Sequence, residues 1–92
     1  MYYILIYHTA DNYIENRKPY RSKHLQLLEI ELKKKHIVLG GALSDPADQA
    51  VIIWRVEDKK IIEEFVNNDP YVKNGLISKY EIRSWNIVIG NS

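Results

Sequence analysis

Two segments of the chain, residues 2–7 (YYILIY) and residues 50–56 (AVIIWRV), carry β-branched and aromatic residues on both alternating faces. Such runs are typical of central β-strands. A sheet with one face in water shows a regular alternation of apolar and polar residues, and these two segments do not show it. Both faces of the sheet that they form must therefore be buried, which limits the folds open to the chain.

The segments around these strands predict two helices. Between residues 19 and 35, the apolar side chains of Leu25, Leu28 and Leu32 follow each other at the spacing of one helix face. Residues 57–68 (EDKKIIEEFVNN) carry a second apolar stripe of the same period and predict the second helix.

Two further strands complete the order of elements. Residues 37–43 (IVLGGAL) predict a short strand interrupted by two glycines, and residues 78–89 (SKYEIRSWNIVI) predict the last strand, whereas the polar residues 9–17 predict a loop. The order βαββαβ predicts one α+β domain over residues 1–92 with a ferredoxin-like, split βαβ fold. In this fold a four-stranded antiparallel sheet carries two helices on one face.

The second face of this predicted sheet needs a cover of its own, because two helices protect only one face. Closed two-fold dimers are the commonest protein oligomers, so a second copy of the same sheet is the simplest cover. We therefore predict a homodimer that forms through the open sheet face.

The composition argues against several classes of function. Thirteen Lys and Arg residues against twelve Asp and Glu residues leave a formal net charge of +1, which gives no reason to expect a nucleic acid or a membrane as partner. The chain has no cysteine and its three histidines lack metal-ligand spacing, so we expect no metal and no cofactor. The N-terminal apolar run is too short for a membrane span and lacks the features of a signal peptide, so the expected location is cytoplasmic.

His24 is the histidine best placed for chemistry. It precedes Leu28 by one turn on the first predicted helix and so lies at the border of the apolar stripe, where a packed structural histidine is the commoner role. Arg21 lies three residues earlier on nearly the same face. An imidazole and a cation on one face are what proton transfer on an anionic substrate needs.

The other two histidines carry weaker signals. His8 follows Tyr7 at the rim of the sheet, which makes it a candidate pocket residue, although rim placement is common. His36 follows three lysines at a helix end, where a histidine more often meets free backbone carbonyls.

Asp69 is open to two interpretations. An Asp directly before a proline is a favoured start for a helix, so Asp69 can be a helix cap and nothing more. In a split βαβ fold, however, both helices lie on the same face of the sheet, and the end of the second can approach the first. A carboxylate that meets His24 there would hold its tautomer and stabilise the imidazolium.

The ordered set of residues 21–25 (RSKHL), 38–43 (VLGGAL) and 67–76 (NNDPYVKNGL) resembles the YCII-related family. Members of this family are small proteins with a ferredoxin-like, dimeric α+β barrel fold. The resemblance implies that His24 and Asp69 form the active-site pair and that Arg21 belongs to the same site. With it we expect four more substrate-binding residues, namely Tyr7, His8, Gly41 and Tyr71.

The resemblance also implies a class of function. We expect a cofactor-independent acid–base enzyme, a lyase or isomerase similar to dehydrochlorinases or muconolactone isomerases, which acts on a small anionic or phenolic molecule. The alternative is a non-catalytic protein that uses the dimeric barrel for ligand binding or interaction. A His24–Asp69 contact that faces a cavity would favour the enzyme.

Overall fold

The structure is a computed structural model and describes residues 1–90. Its four strands are β1 (Tyr2–Thr9), β2 (Ile37–Ala42), β3 (Gln49–Arg55) and β4 (Ile77–Trp85). Its helices are α1 (Tyr13–Asn16), α2 (Arg21–Lys33), α3 (Lys60–Asn68) and α4 (Pro70–Lys73), with a 3₁₀ turn over Lys18–Tyr20. The strands form one antiparallel sheet in the order β2–β3–β1–β4, which confirms the predicted ferredoxin-like α+β fold.

The core lies between the helices and one face of the sheet. Leu5 in β1 pairs with Ile52 in β3 and with Ile82 in β4, so that three apolar side chains stand in one row on this face. Trp54 follows in β3, is fully buried and meets Phe65 of α3 edge to face, with their ring centroids 5.2 Å apart. This packing fixes the helical layer on the sheet.

The opposite face of the sheet is also apolar at its centre. Ile4 pairs with Ile53 and Ile6 pairs with Val51, and these four side chains remain only partly buried. The apolar character of both faces, read from the strands, is therefore present in the fold. We call this surface the open sheet face.

Three predicted boundaries were wrong. Residues 9–17 are not all loop, because they include Thr9, the last residue of β1, and the short helix α1. The first long helix begins at Arg21, after the 3₁₀ turn, rather than at Pro19. The last strand ends at Trp85 rather than at residue 89, because Trp85 pairs with Tyr2, the first residue of β1, and beyond it the neighbouring strand has run out.

The predicted apolar stripe of α2 was also wrong in part. Leu25 and Leu32 are 42% and 51% exposed, and the buried residue of the helix is His24. The face that meets the core carries His24, then Leu27 and Leu28 one turn later. The stripe is rotated because the helix packs with its histidine toward a buried carboxylate, a contact that leucine spacing alone does not reveal.

None of the helices within residues 1–90 is long and apolar enough to cross a membrane.

Candidate active site

Asp69 lies at the junction of α3 and α4 and is fully buried. Its backbone is extended (φ −73°, ψ 121°), as is usual for a residue that precedes a proline. Its Oδ1 accepts a hydrogen bond of 3.0 Å from the backbone N–H of Tyr71, so Asp69 is the N-cap of α4. The local sequence DPY therefore fixes a carboxylate at the end of the helical layer.

The same carboxylate contacts His24, which lies near the start of α2. The Nδ1 atom of His24 lies 2.9 Å from Oδ1 and 3.0 Å from Oδ2 of Asp69. The hydroxyl of Tyr7, in the central strand β1, donates a hydrogen bond of 2.8 Å to Oδ2. Three donors thus converge on one buried carboxylate, which is how a carboxylate is accommodated away from water.

These contacts assign the tautomer of His24. Asp69 accepts at both oxygens, so the proton of the His24–Asp69 hydrogen bond is on Nδ1. Within residues 1–90, Nε2 has no hydrogen-bond partner. Nε2 is therefore the nitrogen that is free to take a proton from, or give one to, a bound molecule.

Aromatic rings hold the imidazole in place. The ring of Tyr71 stacks on that of His24 with centroids 3.8 Å apart and planes inclined by 7°. Tyr13 meets Tyr71 edge to face at 5.7 Å. Since the stacking and the Asp69 hydrogen bonds restrain different motions, the imidazole has little freedom to turn.

A cavity of about 260 Å³ lies beside this imidazole, between α1, α2, α4 and the sheet. It is lined by Tyr7, Tyr13, Arg17, Arg21, His24, Leu25, Leu28, Gly40, Gly41, Ala42, Ala50, Ile52 and Tyr71. The lining combines aromatic and aliphatic side chains with two guanidinium groups, and no carboxylate is part of it. Such a lining suits a small apolar ring that carries negative charge.

Gly40 and Gly41 line this cavity without a side chain, and a side chain would have a different effect at each position. A Cβ on Gly40 would lie 3.2 Å from Cγ1 of Ile52, on the helical side of the sheet, so a side chain here would intrude on the core beside the cavity. A Cβ on Gly41 would meet nothing within 4 Å. Gly41 therefore contributes backbone alone to the lining, and Gly40 is the position that limits the space.

The structure brings most of the expected site residues together, but not His8. Next to Tyr7 in β1, His8 points to the opposite face of the sheet, since neighbouring residues of a strand alternate. There its Nε2 contacts Oε2 of Glu81 at 2.8 Å, and this hydrogen bond lowers the pKa of the Glu81 carboxyl. His8 thus lies outside the cavity that His24 lines, since two neighbouring residues of a strand cannot both face it.

Of the lining residues that were not expected from the sequence, three shape the site most: Tyr13, Arg17 and Gly40. Tyr13 and Arg17 lie in the polar segment that was predicted as a loop, and the helical turn of α1 places both beside α2. Gly40 had a signal, because the strand prediction already noted a glycine pair. Its register opposite Ile52 decided which of the two glycines matters.

A second cavity, of about 280 Å³, lies between α2 and α3. It is lined in part by Glu31, Lys34 and His36, and Glu31 contacts both of the others at 3.4 Å and 3.1 Å. His24 and Asp69 do not line it. Among the residues that the structure describes, no group of three or more His, Cys, Asp or Glu side chains is arranged to hold a metal ion.

Tyr7 gives the site a measurable alkaline signature. Burial, the charge of Asp69 and the hydrogen bond to it all raise the pKa of the Tyr7 hydroxyl above its usual value of about 10. The folded state keeps this proton at a pH where the unfolded state releases it, so the stabilisation is complete below about pH 10 and is lost as the pH rises further.

We expect the variant Tyr7→Phe to lose less of its unfolding free energy above about pH 10 than the wild type, by up to about 1.4 kcal/mol per pH unit. Urea unfolding at several alkaline pH values measures this difference. Tyr20→Phe, which changes a partly exposed tyrosine, is the control and should follow the wild type. An alkaline profile of Tyr7→Phe that matches the wild type would contradict the proposed burial of that proton.

The sheet order, the helical layer on one face and the cavity beside a buried histidine define a small ferredoxin-like α+β protein with a ligand-sized site. The family model of the YCII-related domain matches residues 1–86. The chain therefore belongs to the YCII-related family, as its sequence motifs indicated.

Solved structures agree with this fold. The chain is similar to the 5-chloro-2-hydroxyhydroquinone dehydrochlorinase of Burkholderia phenoliruptrix, solved in complex with 2,5-dihydroxybenzoquinone, with a TM-score of 0.78, 24% identity and 94% of each chain covered. It is also similar to a putative antibiotic biosynthesis monooxygenase from Bacteroides thetaiotaomicron, with a TM-score of 0.63, 12% identity, and 97% and 90% of the two chains covered. Among curated proteins, none matches the chain.

Proposed function

We propose that this protein is a cofactor-independent acid–base enzyme, a lyase or isomerase, that acts on a small anionic or phenolic molecule through His24 and Asp69. The observation that carries the proposal is the state of His24. Its Nδ1 is bound to a fully buried carboxylate, and its Nε2 has no protein partner beside a cavity of about 260 Å³. This is the arrangement of a positioned general base with an orienting group behind it.

In the proposed reaction, His24 Nε2 takes a proton from the bound molecule. In an elimination from a halogenated hydroxyhydroquinone, one hydroxyl proton moves to the ring carbon that carries the halogen and leaves a carbonyl behind. A second hydroxyl then gives up its proton, the O–H electrons form the second carbonyl, and the halide leaves with its bonding pair. The net change is the loss of one acid molecule without oxidation. In an isomerisation, the imidazolium returns the proton at a second atom. Asp69 stabilises the imidazolium in both cases, and Arg21 stabilises the anionic form of the substrate.

The reaction class has support from a structural relative. The similar chain from Burkholderia is named a dehydrochlorinase of a chlorinated hydroxyhydroquinone, and its ligand is a small oxygenated ring. The cavity in the present chain has the size and lining for such a ring. A family membership and a site of this kind make a proton-abstracting lyase the first reaction to test.

The second candidate is a binding protein without turnover. The site also has what binding alone requires, since an apolar cavity with two guanidinium groups can hold an anion whether or not it reacts. The two candidates differ in what His24 does. In a binding protein the loss of Nε2 weakens affinity modestly, whereas in an enzyme it abolishes the reaction while leaving most of the binding.

We also propose that the working form is a homodimer in which a second copy covers the open sheet face. The support is the central group of apolar side chains, Ile4, Ile6, Val51 and Ile53, which the helices of the same chain leave only partly buried. Burying such a patch against its own copy is a common solution for a soluble domain.

The test of the enzymatic function is release of chloride from 5-chloro-2-hydroxyhydroquinone, the substrate named for the similar dehydrochlorinase. We expect turnover by the wild type and a loss of about 10²–10⁴-fold in His24→Gln, the range that a general base contributes. The matched control is His36→Gln, which changes a histidine outside the cavity and should leave turnover unchanged. Ring binding without chloride release by the wild type would favour the binding protein instead.

A further inference from the structure

The hydroxyl of Tyr71 is a buried polar group without a partner. Tyr71 is 1% exposed and lines the cavity, yet its hydroxyl makes no hydrogen bond within residues 1–90. Buried polar groups are almost always paired, and those that are not are often completed by a ligand or a water. Its position in the lining leaves a bound molecule as the available partner.

A comparison within the chain separates this hydroxyl from an ordinary packing defect. Trp54 Nε1 is the other buried side-chain atom without a hydrogen bond in the described residues. Trp54 packs in the core against Phe65 and does not line the cavity. Of these two residues, Tyr71 is the one that combines an unpaired buried polar atom with a place in the lining of the cavity.

Two arginines lie in the same lining. Arg17 is held with its guanidinium 5.3 Å from the centroid of the Tyr13 ring, and Arg21 is the first residue of α2. Within residues 1–90 neither arginine forms a salt bridge with a carboxylate. Two cations that lack an internal counter-ion and face one cavity favour an anion there.

Tyr71 is linked to these arginines electrostatically. Burial and then the nearby Tyr13 raise the pKa of the Tyr71 hydroxyl, while Arg21 and Arg17 oppose that rise. Arg21 is therefore close to the tyrosine oxygen, although the two do not meet the geometry of a full hydrogen bond. A hydroxyl that keeps its proton remains a donor, and a donor beside two cations is suited to an oxyanion.

We propose that Arg17, Arg21 and the Tyr71 hydroxyl form an anion-binding subsite in the His24 cavity, which selects a single aromatic ring that carries a carboxylate or a phenolate oxygen. The remaining lining, with Tyr13, Leu28 and Ile52, provides an apolar surface for the ring. Arg17 and Tyr71 are thus specificity-determining residues that act together with Arg21.

This inference deepens the proposed function and rests on the same cavity, but it concerns binding and can be tested without turnover. The probes are para-hydroxybenzoate, which is an anion at neutral pH, and para-hydroxybenzamide, which has nearly the same shape without the charge. Isothermal titration calorimetry measures the affinity of each. We expect the wild type to bind the anion at least about tenfold more tightly, the effect of one charge-assisted hydrogen bond.

Two variants test the subsite. Arg17→Gln removes one cation, and Tyr71→Phe removes the hydroxyl while keeping the ring that stacks on His24. Each variant should weaken binding of the benzoate by about tenfold. In Arg17→Gln, binding of the benzamide should stay nearly unchanged. The control, Lys23→Gln, removes a charge from an exposed position on α2 outside the cavity and should bind both probes as the wild type does. Circular dichroism and thermal melting check that each variant is folded.

The outcomes separate this inference from the proposed function. A wild type that does not prefer the benzoate, including one that binds neither probe, overturns the subsite, as does unchanged benzoate affinity in either folded variant. Selective benzoate binding without any chloride release leaves the subsite standing and counts against the enzyme. If Arg17→Gln and Tyr71→Phe release chloride as fast as the wild type does, the result counts against the subsite alone.

Discussion

The variant Asp69→Ala is expected to lose about 3–5 kcal/mol of unfolding free energy, because each buried donor that is left without a partner costs about 1–3 kcal/mol. The carboxylate is fully buried and accepts from His24, from the Tyr7 hydroxyl and from the backbone N–H of Tyr71. Alanine leaves all three donors without a partner in the core, and it also removes the cap of α4. Urea unfolding at neutral pH measures the loss.

Two variants show which part of this cost belongs to the cap. Asp58 accepts from the backbone N–H of Lys60 at the exposed start of α3, so Asp58→Ala removes a cap without breaking a buried network and should cost about 1 kcal/mol. Asp69→Asn keeps an oxygen for the Tyr71 N–H but removes the charge. We expect it to be more stable than Asp69→Ala and to be impaired in turnover. If Asp69→Ala loses no more unfolding free energy than Asp58→Ala, Asp69 is a helix cap and nothing else.

The variant Ile53→Asp is expected to abolish the dimer. Ile53 lies at the centre of the open sheet face, opposite Ile4, and a carboxylate there cannot be buried against a second copy without a partner charge. Sedimentation equilibrium at micromolar concentration should show two copies of the wild type and a monomer or an unfolded chain for the variant.

The control for the interface is Leu32→Asp, which introduces the same charge at a half-exposed leucine of the helical layer. It should remain a dimer with nearly the stability of the wild type, since surface changes usually cost less than about 0.5 kcal/mol. A well-folded wild-type monomer, or a dimer of Ile53→Asp, would show that no second copy covers the open sheet face.

The strands could be predicted from the sequence because their apolar runs are long and their neighbours in the sheet restrict them. The register of β1 with β3 and β4 places Leu5, Ile52 and Ile82 in one row, as alternation requires. The end of β4 could not be predicted, because the apolar residues 87–89 continue a strand pattern after the neighbouring strand has ended. Pairing, rather than propensity, decides where an edge strand stops.

The candidate site was predictable only in part, for a related reason. The Asp-Pro sequence and the histidine on the first helix are local signals, and the fold brings them together across 45 positions of the chain. The partners that complete the site carry no such signal. Arg17 reaches the cavity because a short helix forms in a polar segment, and His8 turns away because strand residues alternate. The helical turn at Arg17 depends on backbone geometry that residue types do not encode by themselves, whereas the position of His8 follows from alternation once the first strand is predicted.

We propose that His24 presents Nε2 to a ligand while Asp69 holds Nδ1. The most direct measurement is ¹⁵N NMR of the histidine side chains at about pH 9, above the ordinary range of imidazole titration, with and without para-hydroxybenzoate. We expect His24 to be protonated at Nδ1, and we expect the ligand to shift the Nε2 resonance of His24 while leaving that of His36 in place. A His24 protonated at Nε2, or an Nε2 resonance that a bound ligand does not move, would contradict it.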